Sequence, residues 1–451
     1  MKRAFWIVVS ILFMTAGIWK LTSLLALKNA YQKNHVFMEQ AEDFDVLFLG
    51  TSHVINAVFP MELWQEYGIT SYNLAGHAHP LPATYWVMIN ALDYASPDLV
   101  VVDCYGLERE DKTSGEFGHQ SFDSIPLSGN KVRAVFDLYE TTEERMEYLW
   151  NFSIYHNRWD TLGAGDFMPE DGVQKGAELR NVVEEPEITA RIGEDESCTL
   201  DTTGTDYLRR LIEECQNRDI SVLLTFMPFP AAGEDQLAAR YVRQIAEEYG
   251  VRYINFLDMD IVDYEVDCCD AQSHLNASGA RKVTEYLGKY IRETYHIADH
   301  REEEAYGRWQ EDYEAWRSYK VRQTTGLESL QNYLMMLSVC DMDCYIYIEG
   351  DSGIWRSDDI YVKLLENLAG ETELIKMQAA MQNGGAYLLV VKQDAVTEYA
   401  GEEAVVWKEA YMAKAEETDS VSDVEIVVMN PADGSTVDRK RFADRMLIDT
   451  Q

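Results

Sequence analysis

From residue 44 to residue 295, short apolar runs alternate with segments of helical periodicity, and few folds accommodate that alternation. Residues 44–50, 70–74, 99–103, 220–226 and 251–256 read as strands. Residues 60–67, 81–94, 204–217, 236–249 and 277–295 read as helices. The run Leu99-Val-Val-Val-Asp103 is apolar enough for burial on both faces, as in a parallel strand covered by helices above and below. The pattern implies an α/β fold, a doubly wound parallel sheet with right-handed crossovers.

Residues 107–200, between the third strand and the helix at 204, are more chain than the sheet needs. This insert contains Tyr155-His-Asn-Arg-Trp159 and ends in a charged stretch at 184–196. It reads equally as a lid or acceptor-binding surface over the strand ends and as a structural helical flap. Residues 299–324 are dense in charge, Tyr and Trp at helical spacing and read as a connecting helix, its aromatics a docking stripe. Residues 325–451 form a smaller α+β domain, with strands expected at 344–348, 387–391 and 424–428 and helices at 356–369 and 373–382. The core domain spans 40–298.

Met1-Lys-Arg precedes an apolar run at 4–19 that Lys20 interrupts and that resumes at 21–27. About 24 residues are available where roughly 20 suffice to cross a bilayer. Residues 1–28 are therefore expected to be an uncleaved transmembrane anchor, since no small-x-small cleavage site follows. Lys2 and Arg3 favour a cytoplasmic N-terminus, with the rest of the chain extracytoplasmic. Lys and Arg number 39 against 78 Asp and Glu, a formal charge of −39. That charge repels a phosphate backbone and argues against nucleic-acid binding. It also disfavours docking on anionic lipid, so the membrane attachment is expected to be hydrophobic. The seven cysteines have no zinc-type spacing, and a Cys340–Cys344 bond is left open.

Two stretches carry chemistry. Val46-Leu-Phe-Leu-Gly-Thr-Ser-His53 places a serine where a buried strand emerges into a turn, and Asp270-Ala-Gln-Ser-His-Leu-Asn276 places an acid and a histidine ahead of the last helix. In a wound sheet, functional groups collect beyond the carboxyl ends of strands. A serine there needs a base to become a nucleophile, and the base needs an acid to fix its tautomer. Ser52, His274 and Asp270 are the expected catalytic residues. His53, His77, His79, His156 and Arg158 are the candidates for substrate contact, although each also has an ordinary structural reading. No carboxylate or thiol accompanies the histidines at ligand spacing, so no metal is expected.

On these residues the chain resembles the SGNH/GDSL hydrolase superfamily. Leu47-Phe-Leu-Gly-Thr-Ser52 is similar to its first motif, with Ser52 at the nucleophile. Asn73-Leu-Ala-Gly-His-Ala-His-Pro80 is similar to its second, which supplies an oxyanion-binding N–H, and residues 270–276 to its last. The resemblance covers residues 44 to 295. Within the superfamily it is to membrane-anchored envelope proteins of the lipoteichoic-acid D-alanylation and alginate-type O-acetylation kinds. It implies a flavodoxin-like sheet and an esterase or O-acyltransferase acting on cell-envelope polysaccharide through an acyl-serine. It further implies acetyl as the acyl group, a polytopic membrane O-acyltransferase as partner, a polysaccharide acceptor and no cofactor. The implied oxyanion-hole positions are Ser52, Gly76 and Asn73, with Ala78 as the alternative donor.

Three departures bear on that picture. Asp270 lies four residues before His274, where relatives have three; either a bulged turn absorbs the difference or Asp267 or a carbonyl orients the histidine. The asparagine of the third motif is missing, and Asp103-Cys-Tyr-Gly-Leu107 stands after the third strand. Relatives often carry the second-motif glycine later than Gly76. A chain with the fold but without the chemistry would be an inactive scaffold or a glycan-binding protein of a polysaccharide assembly. Tyr345-Ile-Tyr-Ile-Glu-Gly-Asp351, residues 364–370, Ala386-Tyr-Leu-Leu-Val-Val391 and Glu425-Ile-Val-Val-Met429 resemble the interleukin-like EMT-inducer domain, which implies a binding role without catalysis.

Overall fold

A computed structural model describes residues 2–26, 33–40, 44–167, 172–193, 196–271, 274–350, 352, 354, 359–412, 423–443 and 445–450. Residues 1, 27 and 28 of the expected anchor and 356–358 of an expected helix lie outside the described residues. The chain divides into two compact units, Met1–Glu178 with Thr189–Asp260 and Thr284–Trp309, and Leu179–Ile188 with Ile261–Val283 and Gln310–Gln451.

The first unit is built on five parallel strands, β1 (Val46–Leu49), β2 (Ser71–Asn73), β3 (Leu99–Asp103), β4 (Ser221–Phe226) and β5 (Arg252–Asn255), in the order β2-β1-β3-β4-β5. β1 and β3 are buried throughout, as their uninterrupted apolar sequences require. In register, Leu47 sits opposite Tyr72 on one side and Val100 on the other.

The helices begin and end where local chemistry dictates. α1 (Lys2–Leu25) and α2 (Lys33–Gln40) precede the sheet, and the short α3 (Ser52–Ile55) follows β1. α4 (Pro60–Tyr67) has proline in its first turn, where no backbone N–H is needed, and ends on Gly68 in the left-handed conformation. α5 (Leu81–Ala91) follows β2. Thr284 ties the last helix of the unit to the β1–α4 connection, accepting the Phe59 N–H at 3.0 Å and donating to Ala57 O at 3.2 Å. Trp309 is buried against Trp64 and Phe44, ring centroids 5.5 and 5.8 Å apart.

Between Gly115 and Phe167 the long insert is mostly short helices. Its helix Gly129–Leu138 packs on α5, and Asp137 receives the Trp86 indole N–H at 2.6 Å together with the Tyr207 hydroxyl. This part of the insert is thus a fixed flap on the sheet's helical layer.

The second unit holds a six-stranded antiparallel sheet: β6 (Asp343–Ile348), β7 (Tyr387–Lys392), β8 (Ala395–Ala400), β9 (Val424–Met429), β10 (Thr436–Ala443) and β11 (Met446–Thr450). Their order is β11-β10-β9-β6-β7-β8. Tyr345, Tyr347, Leu388, Val390, Ala404 and Val427 form a core on one face. β10 escaped the sequence reading because it carries Asp438-Arg-Lys-Arg441. Its charges are neutralised across the strand pair, where Arg439 and Arg441 meet the buried Glu425 of β9. Cys340 and Cys344 are both buried free thiols.

The unit boundaries differ from those read in the sequence. Residues Ile261–Val283, expected with the wound sheet, cluster with the second unit. Ion pairs account for it: Lys363 meets Asp263 at 2.9 Å and Glu265 at 2.7 Å, and Arg281 meets Asp341 at 3.1 Å.

Candidate active site

The turn that follows β1 is held from three sides. Gly50 takes φ 142°, and a Cβ there would stand 2.7 Å from the Cβ of Asp103 and 2.9 Å from Val54, so only glycine fits. The Thr51 hydroxyl accepts the His53 N–H at 3.3 Å and caps α3, whose first residue is the half-buried Ser52. Gly50 O accepts the Gly76 N–H at 3.0 Å, and Phe48 O accepts the Leu74 N–H at 2.8 Å, lacing the exits of β1 and β2 together. Asn73 extends the lacing: its amide donates to Val54 O at 2.8 Å and Val58 O at 3.2 Å and accepts the Ala75 N–H at 3.3 Å.

These bonds revise the expected oxyanion hole. The Gly76 N–H is committed to Gly50, and the Asn73 amide is committed to the β1–α4 connection. Ala78 instead takes φ 53°, the left-handed region that favours glycine. The His79 imidazole occupies the space where a Gly76 side chain would project, which explains the glycine.

Asp103 is the residue that sequence reasoning missed. It ends β3 fully buried, its carboxylate accepting the Met227 N–H at 3.0 Å. Burial pushes its pKa up to about 7, with bonds from the Met227 and Tyr105 backbone and the Thr51 side chain pulling the other way. Asp103 thus links the ends of β1, β3 and β4 beneath the Ser52 turn. An acidic residue closing an otherwise wholly apolar strand was the available signal.

Several candidate contact residues prove structural. His53 is buried, stacked on Phe229 at 4.5 Å and edge-on to Tyr105 at 4.6 Å. His79 is buried against the Ser121 hydroxyl, and burial drives its pKa down to about 3, so it is neutral. Arg158 is spent on Asp166 at 2.7 Å and on Leu25 O at 2.5 Å. His156 is exposed and closes its own turn on Ser153 O at 2.8 Å. His77 lines a cleft of about 250 Å³ with Lys33, Asn34, Gln120, Ser121 and Glu178. It pairs with Glu178 at 3.0 Å.

In the second unit, the segment ahead of the helix Ala277–Tyr295 pairs back on itself. Cys268 and Leu275 form an antiparallel bridge, and the Cys269 N–H donates to His274 O at 2.8 Å. This pairing sets Asp270 beside His274 despite the extra residue. Asp270 accepts the His274 N–H at 3.2 Å through Oδ1 and meets Nδ1 at 2.8 Å through Oδ2. Gln272 and Ser273 lie outside the described residues. Asp267, the other carboxylate left open, is fully buried and bonded to Lys282 at 2.7 Å and to the Asp263 N–H at 2.9 Å. Asn276 caps the following helix, accepting the Ser278 N–H at 3.0 Å and donating to Val266 O at 2.7 Å.

No family model matches the chain, and no curated protein matches it. Among solved structures it is similar to a protein assigned to the lipolytic G-D-S-L family from Desulfitobacterium hafniense, at 11% identity over 54% of this chain and 97% of that one, TM-score 0.29. A protein assigned as an acylhydrolase from Bacteroides fragilis is 10% identical over 60% and 99%, TM-score 0.30. A GDSL-like lipase from Bacteroides thetaiotaomicron is 11% identical over 59% and 99%, TM-score 0.29. Likeness at this level leaves the chemistry to the chain's own residues.

Proposed function

We propose that this chain is a serine esterase or O-acyltransferase tethered to a membrane and acting on carbohydrate esters of the cell envelope. The observation that carries the reading is the His274 Nδ1–Asp270 Oδ2 hydrogen bond, 2.8 Å, in the paired segment ahead of the helix Ala277–Tyr295. A carboxylate on Nδ1 fixes the proton there and leaves Nε2 as the basic nitrogen. Ser52, at the start of a helix directly after β1, supplies the nucleophile.

In the proposed cycle, Nε2 of His274 takes the Ser52 proton as Oγ attacks the acyl carbonyl. The tetrahedral oxyanion is held by backbone N–H groups at Ser52 and Ala78. The ester C–O bond breaks, and Nε2 returns the proton to the leaving alcohol. Acyl-Ser52 is then attacked by water, in an esterase, or by a sugar hydroxyl, in a transferase, with Nε2 again taking the proton and handing it to Ser52 Oγ as the acyl–Oγ bond breaks. The cleft beside His77 mixes polar groups, Asn34, Gln120, Ser121 and Glu178 among them, with the apolar Ile55, Leu74 and Ala75, a lining that accommodates a sugar carrying an acyl group. One helix, Phe5–Leu25, is long and apolar enough to cross a membrane and serves as the anchor. A polytopic membrane O-acyltransferase is the proposed acyl donor in the transferase form, with acetyl as the acyl group.

The test is intact-mass analysis of the full chain in detergent after incubation with para-nitrophenyl acetate, beside Ser52→Ala and His274→Ala. The expected result is an acetyl adduct of about 42 Da on Ser52, or turnover that needs both residues, as covalent catalysis requires. Turnover retained in Ser52→Ala overturns the assignment. Absence of both adduct and turnover in the parent chain favours the scaffold.

A further inference from the structure

We propose that the aromatic part of the insert, residues 150–167, rests on the surface of the lipid bilayer that α1 crosses. The inference rests on the anchor reading given above and adds a second, peripheral membrane contact to it. Phe5, Ile11, Phe13, Ile18 and Leu21 of α1 are all exposed, as expected of side chains whose solvent is lipid. Leu25, in the last turn, is 3% exposed. That turn meets protein. α1 packs there on the helix Phe152–Tyr155 and on the 3₁₀ turn Ala164–Phe167, and the Arg158 guanidinium donates to Leu25 O at 2.5 Å. An arginine on the terminal carbonyls satisfies acceptors that the helix itself leaves unpaired and complements its dipole.

Continuity with the span decides what covers this surface. At the end of α1 that leaves the hydrocarbon the chain meets the insert, which presents Trp159 at 71% exposure, Phe167 at 63% and Trp150 at 49%. Aromatic rings at that depth partition into the headgroup layer, where an apolar body and a polar edge are both accommodated. Local charge agrees. The chain as a whole carries −39, yet between Trp150 and Phe167 there are only Arg158, Asp160 and Asp166, a formal −1. Two of those three are paired with each other. The strongly acidic surface that would hold the chain off a membrane is thus interrupted next to the helix that enters it.

The experiment reconstitutes the full chain into phosphatidylcholine vesicles that carry bromine at a shallow acyl position, with Trp159→Phe and Trp150→Phe in parallel. Subtracting each variant's emission from the parent's isolates the contribution of one indole. Docking predicts a blue-shifted difference spectrum that brominated lipid quenches, as for an interfacial tryptophan. Flotation through a density gradient after a carbonate wash runs on the same samples. Vesicles that carry no protein overturn the anchor and the docking together. Protein that floats while the Trp159 difference spectrum stays red and unquenched overturns the docking alone, and leaves that face to a protein partner.

Discussion

Gly50 and Asp103 meet backbone to side chain at the ends of β1 and β3, with no space for a methyl group between them. A Cβ on Gly50 would lie 2.7 Å from that of Asp103, and φ at Gly50 is 142°. Gly50→Ala must therefore displace β3 or distort the Ser52 turn. The expected outcome is a loss of roughly 2–4 kcal/mol, from overpacking added to backbone strain, read as a fall in the urea midpoint at unchanged slope. A midpoint within error of the parent would show that the turn is not the close-packed junction described.

Most of the wound sheet was legible because its strands are continuous apolar runs and its helices carry strong punctuation. The helix read at 60–67 is Pro60–Tyr67, between a first-turn proline and a left-handed Gly68, and the strand at 99–103 is β3 itself. The antiparallel sheet was legible only at its centre. β10 hides behind Arg439 and Arg441, whose partner Glu425 is distant in sequence, and such cross-strand neutralisation has no local signature. The candidate residues divide in the same way. Ser52, Asp270 and His274 stood out by residue type, whereas the roles of Asn73, Gly76 and His79 depend on hydrogen bonds and packing that spacing does not encode.

Asp103 gives the fold a pH dependence of definite sign. Its pKa is 3.8 in the unfolded chain and about 7 in the folded one, raised by burial. Below the lower value both states are protonated and the contribution of the neutral, buried carboxyl is fully present. As pH rises through the window the unfolded carboxyl ionises first, so this contribution to stability is lost progressively up to about pH 7. Asp103→Asn keeps an acceptor for the Met227 N–H and cannot ionise. The difference in unfolding free energy, parent minus variant, should decline from pH 4 to pH 7 and level off above. A flat difference would mean that Asp103 is ionised in the folded protein throughout.

Lys282 neutralises a carboxylate that has no access to water. Asp267 is fully buried and Lys282 lies 2.7 Å from it. Lys282→Met leaves the stem's packing and removes the charge, stranding an ionised acid in the core. We expect a loss of about 3 kcal/mol, at the low end for a broken buried pair because the ammonium is itself partly solvated. Asp267→Asn in the same background should recover part of that loss. Failure of the double variant to recover any of it would show that charge is not what Lys282 contributes.

Asp270 and Asp267, three residues apart, should then fail in different ways. Asp270 lies in the paired segment with its carboxylate on the backbone N–H and Nδ1 of His274, half-exposed and outside the packed core. Asp267 faces Lys282 and the Asp263 N–H. Asp270→Asn replaces an acceptor with a group that can present its NH₂ to Nδ1 and so favours the wrong tautomer of the histidine. The expected effect is a fall in kcat for ester turnover of up to about 10⁴, the loss seen when the orienting acid of a serine site becomes an amide, with the thermal midpoint nearly unchanged. Asp267→Asn should lower the midpoint and leave kcat of the folded fraction close to that of the parent. Measuring both variants for both properties separates a positioning acid from a structural one. If Asp267→Asn is the variant that loses turnover at full stability, the bond to Asp270 is incidental and His274 takes its orientation elsewhere.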